Sequence, residues 1–99
     1  MNDLPTMRDF EAHIHEQFVI ELANQSLYPL ELIQVSPLMP SRTPGVRTDP
    51  FQVMFHGPGP GYLPQQIHAL HNDTLGDVKL FLVPVGQDQS GYLYQAVFN

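Results

Sequence analysis

Ninety-nine residues, 42% of them hydrophobic, make a single domain that buries roughly 60–65% of its unfolded surface and folds without staples. The net charge is −6 and only four cations are present, Arg8, Arg42, Arg47 and Lys79, too few for the basic patch that nucleic acid or an anionic membrane surface demands. There is no cysteine, which excludes disulfide scaffolds, zinc knuckles and thiol catalysis together.

The first predicted element is a helix over about residues 7–14. Thr6 and Asp9 have the spacing of a capping box, Leu4 and Phe10 stand close to the staple spacing, and Met7, Phe10 and Ile14 share one helical face. Such a helix is too short to stand alone, and its apolar face must dock on another part of the fold. From Gln17 the period changes to two. Phe18, Ile20 and Leu22 alternate with Val19, Glu21 and Ala23, predicting a strand over 17–23 with one buried face. A second strand over 29–36 is apolar on both faces and is expected to be central or covered on both sides.

Residues 36–50 carry Pro37, Pro40, Pro44, Gly45 and Pro50 and cannot pair regularly, since each proline removes a donor. A connection of this length is usually functional or disordered, so it is a first candidate contact surface, with Met39, Arg42, Val46 and Arg47 as its contact residues. Phe51, Val53 and Phe55 then predict a strand over 51–56, closed by the turn His56-Gly-Pro-Gly-Pro-Gly61. Further strands are expected over 65–71, 77–85 and 92–98. Gly76 suits a turn that requires positive φ.

Six strands at hairpin spacing with one short helix leave no crossovers for parallel pairing. The expected fold is mainly β: an antiparallel meander or small barrel, with the short N-terminal α-helix plugging one end or covering the open face. No internal repeat is visible in the sequence.

The chemistry-bearing residues read as structural. His68 and His71 are three apart, a metal-chelating spacing on a helix, but on a strand they point to opposite faces. The Gly-Pro run after His56 lacks the lysine and the helix of a phosphate loop, and its prolines delete the amides that would bind phosphate. The acids Asp3, Asp9, Glu11 and Glu16 lie near the helix, and Asp73, Asp77 and Asp88 at turns, where carboxylates cap and initiate. Ser26, Ser36, Ser41 and Ser90 fall in loops with no nucleophile signature. No catalytic residue, metal or cofactor is expected.

Phe81, Tyr92, Tyr94 and Phe98 populate the last two strands. Packing in the core is their first reading. The alternative is an exposed stripe led by Tyr92 and Tyr94, with Leu93 and Val97 buried on the opposite face.

The segment Leu80-Phe-Leu-Val-Pro-Val-Gly86 through Gly91-Tyr-Leu-Tyr-Gln-Ala-Val-Phe-Asn99 resembles a small bacterial family catalogued as a domain of unknown function, DUF6916. Pro50-Phe51, Phe55-His-Gly57, Leu63-Pro-Gln65, His71 with Leu75-Gly76, and the early Phe10 and Phe18 agree with it. The resemblance implies a stand-alone β-rich domain with no assigned activity and no catalytic residue to carry over. It also implies members encoded beside tail-collar-type (microcystin-dependent-like) phage-tail-fibre proteins, and so an accessory of a tail-fibre-like assembly. Gln95 stands where many relatives are expected to carry an acid.

The expected function is therefore a non-enzymatic structural or assembly module that binds protein partners and itself through sheet edges and the 36–50 loop. The alternative is a small-molecule or glycan-binding barrel with an end pocket lined by His68, Tyr92 and Tyr94. Met1 to Ile14 has no apolar h-region, and the longest apolar run, Leu80–Val85, is cut by Pro84. No signal peptide or membrane insertion is expected, and the cytoplasm is the default location.

Overall fold

The structure, a computed structural model, describes residues 6–22, 25–38, 50–58 and 63–98. Helix α1 (Met7–Glu11) is followed by β1 (Gln17–Glu21), β2 (Leu27–Pro37), β3 (Phe51–Gly57), β4 (Gln66–Asn72), β5 (Gly76–Asp88) and β6 (Gly91–Phe98). All pairings are antiparallel, and the strands close into a barrel in the order β1-β2-β3-β6-β5-β4.

The barrel is thus the form adopted, and the consecutive-hairpin order of a meander breaks once. β3 pairs with β6 rather than β4, so the barrel consists of two three-stranded meanders joined along two seams. The β3–β6 seam is complete, from Phe51 opposite Phe98 to Gly57 opposite Tyr92. The β1–β4 seam holds only Val19 opposite His71 and Ile20 opposite Leu70.

Each meander bends at its middle strand. The register shifts between Leu32 and Gln34 in β2 and between Pro84 and Gly86 in β5; such bulges curl a sheet towards closure. The first also explains why β2 is apolar on both faces. Leu30 and Leu32 are buried before the shift, and Val35, of opposite parity, packs on the core after it. The second accommodates Pro84 inside a long strand, a place where a proline's missing donor is tolerated. Gly57 has no room for a side chain: a Cβ there would lie 2.7 Å from the Tyr28 ring. At Gly91, with φ 152°, a Cβ would lie 2.2 Å from the Gly57 carbonyl oxygen.

The helix carries the capping box, with the Asp9 amide donating to Thr6 Oγ1 at 3.2 Å and the Thr6 amide to Asp9 Oδ2 at 2.8 Å. It ends at Glu11 rather than near residue 14. His15 takes a left-handed conformation (φ 75°) that turns the chain into β1, and its amide donates to the Leu32 carbonyl at 2.6 Å. Among the described residues no helix is long and apolar enough to cross a membrane.

Phe10 plugs one end of the barrel. Fully buried, its ring lies 6.3 Å from that of Phe18, 5.9 Å from Phe51 and 5.4 Å from Phe98. Phe18 meets Phe55 edge-on at 5.3 Å, carrying the aromatic core inward. Removing a buried phenyl group costs about 3–5 kcal/mol. Phe10→Ala is therefore expected to lower the urea midpoint sharply at unchanged slope, and a midpoint within error of the parent would contradict the plug.

Candidate functional site

The histidines distribute as strand geometry requires. His68 is buried with Nε2 2.9 Å from the Pro64 carbonyl, whereas His71 is exposed on the other face. His71 Nδ1 lies 2.7 Å from Asp77 Oδ1, and its Nε2 3.5 Å from Asp73. His13 Nδ1 sits 2.8 Å from Glu16 Oε1. Among the described residues no three His, Asp or Glu side chains gather as a metal site.

The fold brings together one set that the sequence does not reveal. His56 Nε2 lies 2.9 Å from Ser90 Oγ and 3.5 Å from Asp88 Oδ1. The residue types are those of a hydrolytic triad, but the wiring differs. Ser90 donates its hydroxyl proton to Asp88 at 2.8 Å, and its amide donates to the same oxygen at 2.9 Å. The imidazole therefore donates to Oγ instead of taking its proton, and the carboxylate stands on the same ring nitrogen rather than behind the other. The Ser90 hydroxyl and amide hold the Asp88 carboxyl below its ordinary pKa. This cluster ties the β5–β6 turn to β3. It borders a shallow surface hollow of about 400 Å³ between His15, Glu31, His56 and Pro58.

His68 and Tyr94, two of the residues expected to line an end pocket, are both buried. Tyr94 is completely buried; its hydroxyl lies 2.9 Å from that of Tyr28 and accepts from the Leu63 amide at 2.8 Å. Burial, and then the Tyr94 hydroxyl, push the Tyr28 phenol above its ordinary pKa. Tyr94 is accordingly a core residue and no part of a contact surface, and Tyr92 is half-buried beside the core. Met39, Arg42, Val46 and Arg47 lie outside the described residues.

Exposed apolar surface appears elsewhere, on the outer wall formed by β4, β5, β6 and β3. Ile67 and Phe81 are directly opposed across β4 and β5 and are 65% and 50% exposed. Val97, two residues beyond the Val83–Gln95 pair on β6, is 47% exposed on the same face. The remaining outward positions nearby are Val83, Gln95, Gln52 and Met54, with the Gln95 and Gln52 amides hydrogen-bonded. On this wall β5 carries Lys79 and, at its start, Asp77, while Glu21 and Glu31 face outward from β1 and β2. Along the β1–β4 seam runs a groove of about 590 Å³ whose lining includes Val19, Glu21, Leu27, Ala69, Asp77 and Lys79.

The stripe built on Tyr92 and Tyr94 thus has its faces reversed: Tyr94 and Ala96 point inward and Val97 outward. Both parities of β6 are apolar, so alternation alone does not orient it. In β5 the signal was present. Val78, Leu80 and Leu82 share one parity and are buried, which sends Phe81 outward.

A family model described as a domain of unknown function (DUF6916) matches residues 5–98. No curated protein and no solved structure matches the chain.

The seam carries a pH dependence. The Asp77 hydrogen bond, reinforced by the Asp77 and Asp73 charges, holds the His71 proton and raises its pKa above the ordinary 6.5. That stabilisation is complete below about pH 6.5 and is lost as pH rises through the raised value. Glu16 behaves oppositely. Hydrogen bonds from His13 and Asn72 hold it below its ordinary 4.5, so its contribution is present above that value and lost on acidification. The thermal advantage of the parent over Asp77→Asn is therefore expected to be largest near pH 6 and to shrink towards pH 9. An advantage that is constant or grows over that range would contradict this assignment.

Proposed function

We propose that this chain, which belongs to the DUF6916 family of domains of unknown function, is a protein-interaction module that docks its outer β4–β5–β6–β3 wall on another protein. The observation that carries the reading is the row Ile67, Phe81 and Val97, exposed on a nearly uncharged wall of a chain whose net charge is −6. Protein interfaces are depleted of charge and enriched in aromatic residues at their centres. Burial of apolar surface contributes about 25 cal/mol per Å². Phe81 is the anchor: a large ring held on rigid strand backbone, with Ile67 directly opposite. The reading calls on no catalysis, and the Ser90–His56–Asp88 wiring supports leaving it out.

The setting that the family resemblance supports is an accessory of a tail-collar, phage-tail-fibre-like assembly. Removing Phe81 and Ile67 separates docking from folding, because both side chains point to solvent. In pull-down and titration with a tail-collar-type fibre protein, Ile67→Thr/Phe81→Ser is expected to bind at least tenfold more weakly. Its unfolding free energy should stay within about 0.5 kcal/mol of the parent. Equal binding by the double variant would remove this wall as the docking face, and failure of the parent to bind would remove the tail-fibre setting.

A further inference from the structure

β4 is paired with β5 along its whole length, from Gln66 opposite Leu82 to Asn72 opposite Gly76, but with β1 only at Leu70 and His71. Past Glu21 the chain turns away: the Leu22 amide donates to Ser26 and the Leu22 carbonyl accepts from Gln25. Among the described residues, Gln66–Ala69 therefore has a strand on one side only. Gln66–Ala69 is thus a four-residue stretch of open edge on a closed barrel.

The edge is undefended. Natural edges are blunted with charge, proline or a bulge. Gln66, Ile67, His68 and Ala69 supply no proline and no fixed charge, and their register with β5 is unbroken. His68 is turned into the barrel onto the Pro64 carbonyl, leaving Ile67 and Ala69 on the outer face.

We propose that a second copy of this chain pairs with this edge, β4 against β4, antiparallel about a two-fold axis. The proposal rests on the docking reading and deepens it by naming a partner. Three features favour a second copy. An antiparallel edge is its own complement under two-fold symmetry. A chain of net charge −6 approaches its twin most readily where acids are sparse, and Gln66–Ala69 carries none. The groove along the seam carries Glu21, Asp77 and Lys79 at its sides and offers Val19, Leu27 and Ala69 to the incoming Ile67. Pairing also brings the two Ile67 side chains onto one surface. The Ile67–Phe81 rows then join into a single apolar row across both copies, enlarging the docking wall.

The absence of cysteine makes the test direct. Ile67→Cys, Ala69→Cys and, on the acidic side of the barrel, Glu31→Cys would be oxidised mildly at high protein concentration. Cross-strand Cβ atoms in an antiparallel pair lie about 4.5–5.5 Å apart. Ile67→Cys or Ala69→Cys is therefore expected to give covalent dimer at least tenfold faster than Glu31→Cys. Light scattering of the parent should shift towards dimer with concentration, and Ile67→Lys should abolish the shift without loss of thermal stability. Equal cross-linking at all three positions, or a parent that stays monomeric at every concentration, would overturn the self-pairing. In that case, loss of fibre-protein binding by Ile67→Thr/Phe81→Ser would still uphold the docking wall, so the two readings fail separately.

Discussion

The side-chain amide of Asn72 closes the barrel where β1 and β4 part. It is buried and donates to the Gln17 carbonyl at 3.0 Å and to Glu16 at 3.2 Å. Its oxygen accepts from the Thr74 and Leu75 amides of the β4–β5 turn. A side chain thereby stands in for the ladder that the backbone does not make. With the complete β3–β6 seam on the opposite side, the two meanders are held firmly along one line and lightly along the other. The cavity between them is sealed by Phe10 and filled by Phe18, Phe55 and Tyr94.

That inequality arranges the surface as well. Titratable groups gather where the backbone ladder ends: Glu16 and His13 beside Asn72, His71 with Asp73 and Asp77 at the β4–β5 turn, and His56 with Ser90 and Asp88 at the β5–β6 turn. Their hydrogen bonds hold turns and seams, and account for the displaced pKa values of Glu16, His71 and Asp88. The middle of the outer wall, away from these ends, is left to apolar and amide side chains. A wall whose middle is free of acids on an acidic chain suits a protein surface, and an unpaired strand segment beside it suits a second strand.

Much of the fold is legible in the residues. Phe51, Val53 and Phe55 alternate into the core as their spacing says, the Thr6–Asp9 cap forms, and Gly76 has positive φ. What local pattern does not carry is pairing between distant segments. The β3–β6 seam depends on Gly57 and Gly91 passing in contact, a relation between residues far apart in the chain. The helix stops early because His15 must reach Leu32, again a non-local demand. The orientation of β6 is hidden by apolar residues at both parities, which is why spacing alone leaves Tyr94 open to both a core and a surface reading. The outward position of Phe81 is readable from its neighbours, and the β4 edge is not, since it exists only because β1 is short.

The account stands on the asymmetry of the seams, and amide hydrogen exchange reads it directly. In dilute protein at neutral pH, the slowest amides should lie along Phe51–Gly57 and Gly91–Phe98. Alternate amides of Gln66–Ala69, those facing away from β5, should exchange orders of magnitude faster and become protected as concentration rises. Uniform protection through β4 in dilute solution, as slow as the β3–β6 seam, would mean that no edge is open and would contradict the account.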